Sequence, residues 1–305
     1  MKPFFPSTRQ ALGQLTGLFD FVWPTAAALW NMRWQVQGFM AEVPTATVDE
    51  LKKRFLFGSG IETVDLKRTV RDQTWDQQKE VFASFVLTNA FAVYEQWADE
   101  ILIALGQPQR SGKKLQFPKR APAAIAALTT PTSATTTSAF YPVSSGSGKY
   151  DLARLISLLT CYRYFKEVRN AQVHAGGVAG QEQFDAHAAF QPVSSRTALG
   201  MKGDLLFDPV VIGQPTALHL RGVVGFTDVL IRLMITMDAE LSRSEKADAV
   251  LEASLRAATG AVTLSSDVTK RASQVRKICA NAGLPRPVDT EVVHAFMVAN
   301  RIVRA

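Results

Sequence analysis

YDLARLISLLTCYRYFKEVRNAQVHAGG, residues Tyr150 to Gly177, is the stretch around which the rest of the chain is organised. Asp151 is a candidate N-cap and Gly176-Gly177 a candidate stop, and neither Pro nor Gly interrupts the residues between. The spacing therefore predicts one long helix. At about 100° per residue, Leu158, Cys161, Phe165 and Val168 share one face while Arg163, Lys166, Asn170 and His174 share the opposite one. In the first half, Leu152, Leu155, Ile156 and Leu159 continue the polar line as apolar residues, which predicts burial nearly all round. A helix that leaves a core and ends in a stripe of Arg, Lys, Asn and His delivers polar groups to the mouth of a cleft.

A second long helix is expected from about Asp76 to Leu105, where Phe82, Phe85, Val86, Phe91, Tyr94, Ala98 and Ile101 recur at spacings of three and four before Gly106. Another runs from about Ala217 to Leu241 on Leu220, Val224, Phe226, Leu230, Leu233 and Met237. Upstream, residues 7 to 40 read as helix with Pro24 as a kink or restart, and Trp30 and Trp34, one turn apart, are expected to anchor a packing face. Thr47 to Glu50 forms a capping-box pattern, as does Ser242 to Glu245. Helices are expected at 266–282 and 290–303 after the latter. MKGDLLFDPVVIG, residues 201–213, reads as a short hairpin or irregular pair of strands. The fold class that follows is mainly α: a helical bundle with one short irregular or β-hairpin insertion and extra helical segments at both ends. The expected divisions are an N-terminal helical segment 1–64, a core 65–242 and a small C-terminal helical domain 243–305.

With 305 residues and 47% apolar composition the chain can bury a full core. Two cysteines, Cys161 and Cys279, far apart and without a CxxC, do not make a disulfide framework, and a reducing cytoplasm is the economical expectation. MKPFFPSTRQ has neither an apolar core region nor a small-residue cleavage site, so it does not read as an export signal, and no charge-free apolar span predicts a membrane helix. The net charge of +7 is concentrated. Arg110, Lys113, Lys114, Lys119, Arg120 and Lys149 fall between residues 107 and 150, where there is no Asp or Glu. Residues 107–149 read as a basic, flexible, Ser/Thr-rich loop, and its cations favour a polyanion through phosphate contacts and counterion release. Gly146-Ser147-Gly148-Lys149 lacks the first glycine and the Ser or Thr of a phosphate-binding loop. His219, and Asp185 with His187, lack partners at metal-ligand spacing.

Arg169-Asn170-Ala171-Gln172-Val173-His174 is similar to the Arg-x4–6-His signature of the HEPN superfamily of helical ribonucleases, in which a polar residue often follows the Arg. The resemblance covers residues 65 to 242. It implies a metal-independent, cofactor-free endoribonuclease in which the 2′-OH attacks the adjacent phosphorus, leaving a 2′,3′-cyclic phosphate and a 5′-OH. On this reading His174 is general base or acid, imidazole being the side chain that changes charge in the neutral range. Arg169 offers its fork to phosphate oxygens, and Asn170, one turn before His174, fixes the ring or binds phosphate. Glu95 would orient Arg169 or take a proton, and Tyr162, Arg163 or Lys166 could supply a second group. Lys113, Lys114, Lys119 and Arg120 would bind RNA. The resemblance further implies a homodimer that brings two such motifs into one cleft, and a toxin or phage-defence role with an antitoxin or defence-system partner.

Two other classes fit the residues. One is a non-catalytic module of the same fold that binds nucleotide or protein. The other is a DNA-binding regulator acting through the C-terminal helices, where Lys270, Arg271, Arg276, Lys277 and Arg286 make a basic helical hairpin.

Overall fold

The computed structural model describes residues 2–260 and 263–304. In them the helices run α1 (Pro6–Glu42), α2 (Val48–Phe55), α3 (Leu66–Arg71), α4 (Trp75–Ala104), α5 (Ala121–Leu128), α6 (Ala134–Ala139), α7 (Tyr141–Ser145), α8 (Leu155–His174), α9 (Gln181–Phe190), α10 (Arg196–Leu199), α11 (Leu220–Leu241), α12 (Ala247–Ala258), α13 (Val268–Asn281) and α14 (Thr290–Ala299). Among the described residues there is no β-strand, and the fold is all-helical.

The core is built where α4, α8 and α11 pack against one another. Their apolar faces meet through aromatic rings: Phe165 stacks on Phe226 at 4.5 Å, Phe91 meets Phe226 and Tyr162 at 5.2 Å, and Tyr94 meets Tyr162 at 4.8 Å between centroids. α11 is buried along most of its length, as expected of a helix surrounded on several sides. α1 runs unbroken through Pro24 and lies against α4 and α11. Its start is fastened inside: Asp238 of α11 accepts the amides of Phe4 and Phe5 at 2.8 and 3.0 Å, and the indole of Trp97 donates to Thr8 at 2.8 Å.

One buried cluster takes in Phe4, Leu15 and Val22 at one end of the chain and Leu255, Val275, Cys279 and Met297 at the other. Residues of all three expected divisions, 1–64, 65–242 and 243–305, contribute to this cluster. A satellite cluster of Val36, Ala46, Leu51, Leu56, Leu66 and Val70 ties the end of α1 to α2 and α3.

Several local expectations need correction. Residues 107–149 fold as a 3-10 turn (Ser111–Leu115) followed by α5, α6 and α7, because Leu115, Ala121, Ile125, Ala139 and Phe140 are spaced so that each reaches the core. The Ser/Thr run serves as caps and tethers: Ser133 accepts from the Thr136 amide and donates to Asp248 at 2.6 Å. Residues 201–213 form no hairpin. Around Gly213 to Thr216 the chain pairs instead with Gly177 and Ala179, just beyond α8. Trp30 and Trp34 do not enter the core; they pack on each other and Trp30 on Trp75, with Trp34 58% exposed. Ile156 is equally exposed at 58%, so the first half of α8 is buried on one side and not all round. The capping box forms at Thr47–Glu50 but not at Ser242–Glu245, where the Ser244 hydroxyl donates to the Leu128 carbonyl and α12 begins only at Ala247.

Candidate functional site

α8 enters from a 3-10 turn (Leu152–Arg154) whose Arg154 amide is capped by Asp151. It leaves through Gly176 and Gly177, both at positive φ, with the Gly177 amide returning to the Ala171 carbonyl at 3.0 Å. That reversal carries the chain straight into α9. The last turn of α8 and the first turn of α9 thus form two walls of an open cleft of about 810 Å³, lined by Glu167, Asn170 and His174 on one side and Gln181, Glu182 and Gln183 on the other.

The structure brings Asn170 and His174 to this cleft together, one turn apart on the same face. His174 is exposed and lines the cleft. Arg169 is part-buried beside them. Its Nη1 donates to Asn170 Oδ1 at 3.2 Å, while its Nε is shut from solvent without an acceptor. The guanidinium is therefore coupled to the cleft through Asn170 and is not one of its lining groups.

Glu167 organises these side chains and was missed in the sequence. It is 5% exposed, and one carboxylate oxygen accepts Arg163 while the other accepts Asn170 Nδ2 at 3.1 Å. The result is a chain of contacts, Arg163 to Glu167 to Asn170 to Arg169, which sets the amide of Asn170 so that its oxygen faces Arg169. The spacing could have revealed it, since Glu167 stands four residues after Arg163 and three before Asn170. Glu182, in the first turn of α9, is a second omission. It brings an exposed carboxylate to the cleft that holds His174, and nothing in its local sequence marks it.

The remaining expected site residues divide. Glu95 bonds Lys166 at 2.9 Å and not Arg169, and the same ammonium donates to Gln116 Oε1 at 2.7 Å. Lys166 is thereby occupied. Tyr162 is fully buried in the aromatic core with no partner for its hydroxyl, and burial pushes that phenol well above its ordinary range. It is sealed from any substrate, which removes it as a second acid or base. Arg120 and Arg163 lie against one ring, that of Phe117, at 5.2 and 4.9 Å. Arg120 consequently joins the polar side of α8. Lys113 and Lys119 are exposed; Lys114 bonds Gln107 at 3.0 Å and lines a different hollow with Lys246. Phe117 and Gln116 were also invisible beforehand, because their partners on α8, Arg163 and Lys166, are 46 and 50 residues away in the chain.

The other histidines lie elsewhere. His187 packs against Tyr164 and Phe207, and burial lowers its affinity for a proton. His219 is 3.0 Å from Asp208. Among the described residues no group of three or more His, Cys, Asp or Glu is placed to hold a metal ion, and no helix is long and apolar enough to cross a membrane. Cys161 and Cys279 are free thiols, both buried.

Comparison of the chain with family models, with curated proteins and with solved structures gave no match.

What this arrangement offers chemically is an exposed imidazole, an amide held in one orientation, and a carboxylate, on an open floor wide enough for a phosphodiester. The cleft lining itself carries Glu167 and Glu182 and no Lys or Arg, while Arg163 and Arg169 stand behind it, on Glu167 and Asn170.

Proposed function

We propose that the chain is an endoribonuclease that cleaves RNA without a metal ion, through the run Arg169-Asn170-x-x-x-His174 that resembles the HEPN signature. The observation that carries this reading is the shared cleft of Asn170 and His174, with Arg169 held against Asn170 at 3.2 Å. His174 takes the proton of the 2′-OH as the 2′-oxygen bonds to phosphorus, or gives a proton to the 5′-oxygen as the P–O5′ bond breaks. Arg169 and Asn170 meet the charge on the phosphate oxygens. Transfer to the 2′-oxygen needs no water, and the products are a 2′,3′-cyclic phosphate and a 5′-OH.

Two protons move in opposite directions, so a second titrating group is required. In this proposal a homodimer supplies it as the second copy's His174. Glu182 is the alternative within one chain. The same proposal places the protein in the cytoplasm and, by analogy with the family it resembles, in a toxin or phage-defence system with a neutralising partner.

The test is incubation with total RNA in EDTA followed by mapping of product ends. Cyclic phosphate and 5′-OH ends are expected, with His174→Ala lowering the rate by about 10²–10⁴-fold. Cleavage that persists in that variant, or 3′-OH ends, would sink the reading. One observation favours a second reading, a non-catalytic module that binds nucleotide or protein: Arg169 stays off the cleft lining with its Nε unpartnered. Under it, RNA binds and no ends are produced.

A further inference from the structure

Outside the cleft, the fold collects cations from the two ends of the chain. Lys2, Arg276, Lys277 and Arg286 line one hollow of about 560 Å³, together with Val143, Ala280, Leu284 and Pro285. No Asp or Glu lines it. Among the described residues none of the four cations takes part in an ion pair. Lys2 reaches the Ala280 carbonyl at 3.4 Å, and Arg276 Nε is shut from solvent without an acceptor.

Four like charges around one concavity repel one another, and the repulsion is relieved when an anion enters. The floor is apolar: Val143 comes from α7 and Leu284 and Pro285 from the α13–α14 connection. A pocket of this size, with a few convergent charges over an apolar base, has the dimensions of small-ligand sites, about 300–1,000 Å³. It does not continue into a track for a polymer. Arg271, further up α13, is held by Glu291 at 2.9 Å, and Lys270 does not line the hollow.

We propose that this hollow binds a small molecule carrying a chain of two or more phosphates, with Arg276, Lys277, Arg286 and Lys2 on the phosphate oxygens and the apolar floor against the attached group. Guanidinium pairs suit this role because their forks match phosphate oxygens. A nucleoside triphosphate and an inorganic polyphosphate share this chemistry, and competition separates them.

Binding of a fluorescent (N-methylanthraniloyl) ATP to the full chain is followed by anisotropy at fixed salt, with ATP, inorganic tripolyphosphate and a 12-nucleotide single-stranded RNA as competitors. One site per chain is expected. Lys277→Gln combined with Arg286→Gln, both exposed positions, should raise the Kd at least about tenfold, as should Arg276→Gln. Lys270→Gln, outside the hollow on the same helix, should leave it unchanged. Displacement by ATP and tripolyphosphate alike assigns the site to the phosphate chain, and displacement by ATP alone to the nucleotide. The proposal is overturned if neither probe binds, if Lys270→Gln weakens binding as much as the lining substitutions, or if the RNA binds through these residues while the small phosphates do not. None of these outcomes depends on whether the α8 cleft cleaves RNA.

Discussion

Glu167 shows how much a single residue decides at the cleft. Two hydrogen-bond donors converge on one carboxylate that is almost removed from water, and charge-assisted bonds of this kind are stronger than neutral ones. Glu167→Gln keeps the volume but cannot accept from both Arg163 and Asn170. The amide of Asn170 is then free to turn, and Arg169 loses its fixed acceptor. The expected outcome is a fall in the RNA cleavage rate of roughly 10–100-fold, by analogy with loss of residues that orient catalytic ligands, with little change in KM. The side-chain amide resonance of Asn170 should shift in the same variant. Glu167→Ala should cost about 1–3 kcal/mol in urea denaturation, because the Asn170 amide and the part-buried Arg163 lose their acceptor. By contrast His174→Ala, at an exposed position, should change stability by no more than about 0.5 kcal/mol. A large loss of stability there would mean that the imidazole packs and does not face solvent.

At the scale of the element, the fastening of the N-terminus to α11 is sensitive to pH. Asp238 is buried, and removal from water pushes its carboxyl up to about 6, a shift only partly opposed by the bonds from Thr8, Phe4 and Phe5 and by Arg9. The folded value lies above the unfolded one, so the fold favours the protonated acid. Its contribution is complete below about pH 4 and is lost as pH rises through about 6. Relative to Asp238→Asn, the wild type should lose on the order of 2–3 kcal/mol between pH 4 and pH 7 in urea titrations. A flat difference across that range would contradict the burial of this carboxylate. A second element is held by close approach: a Cβ built on Gly222 of α11 would stand 2.0 Å from the Leu206 carbonyl oxygen. Gly222→Ala should therefore dislodge residues 201–219 from α11, seen as faster hydrogen exchange there and as a lower Tm.

At the scale of the whole molecule, the proposed second copy can be tested without a structure. A mass of twice 33.4 kDa in solution is expected, and mixing Arg169→Ala with His174→Ala chains should recover part of the activity that each lacks. Recovery requires that one cleft draw on two chains. If the chain is active as a monomer, Glu182→Gln should abolish the second limb of the pH–rate profile instead.

Much of the all-helical architecture could be read in advance because helical periodicity is local. α4, α8 and α11 announce themselves through apolar residues three and four apart, and Thr47–Glu50 and the Gly176-Gly177 stop are contacts between near neighbours. The placing of Asn170 and His174 on one face follows from the same geometry. Residues 107–149 were misread because Ser/Thr-rich composition reports average polarity, whereas their order comes from five apolar residues that find a core built by distant helices. The pairing of 213–216 with 177–179, the diversion of Glu95 to Lys166, the sealing of Tyr162 and the gathering of Lys2 with Arg276 and Arg286 likewise depend on partners far off in the chain. The sequence by itself determined the long helices α1, α4, α8 and α11 and which face of α8 is polar, since 3.6-residue repetition acts over a few turns. Only the tertiary structure decided which charges are spent on one another and which are left without an ion pair among the described residues, since that depends on what packing brings within a few ångströms.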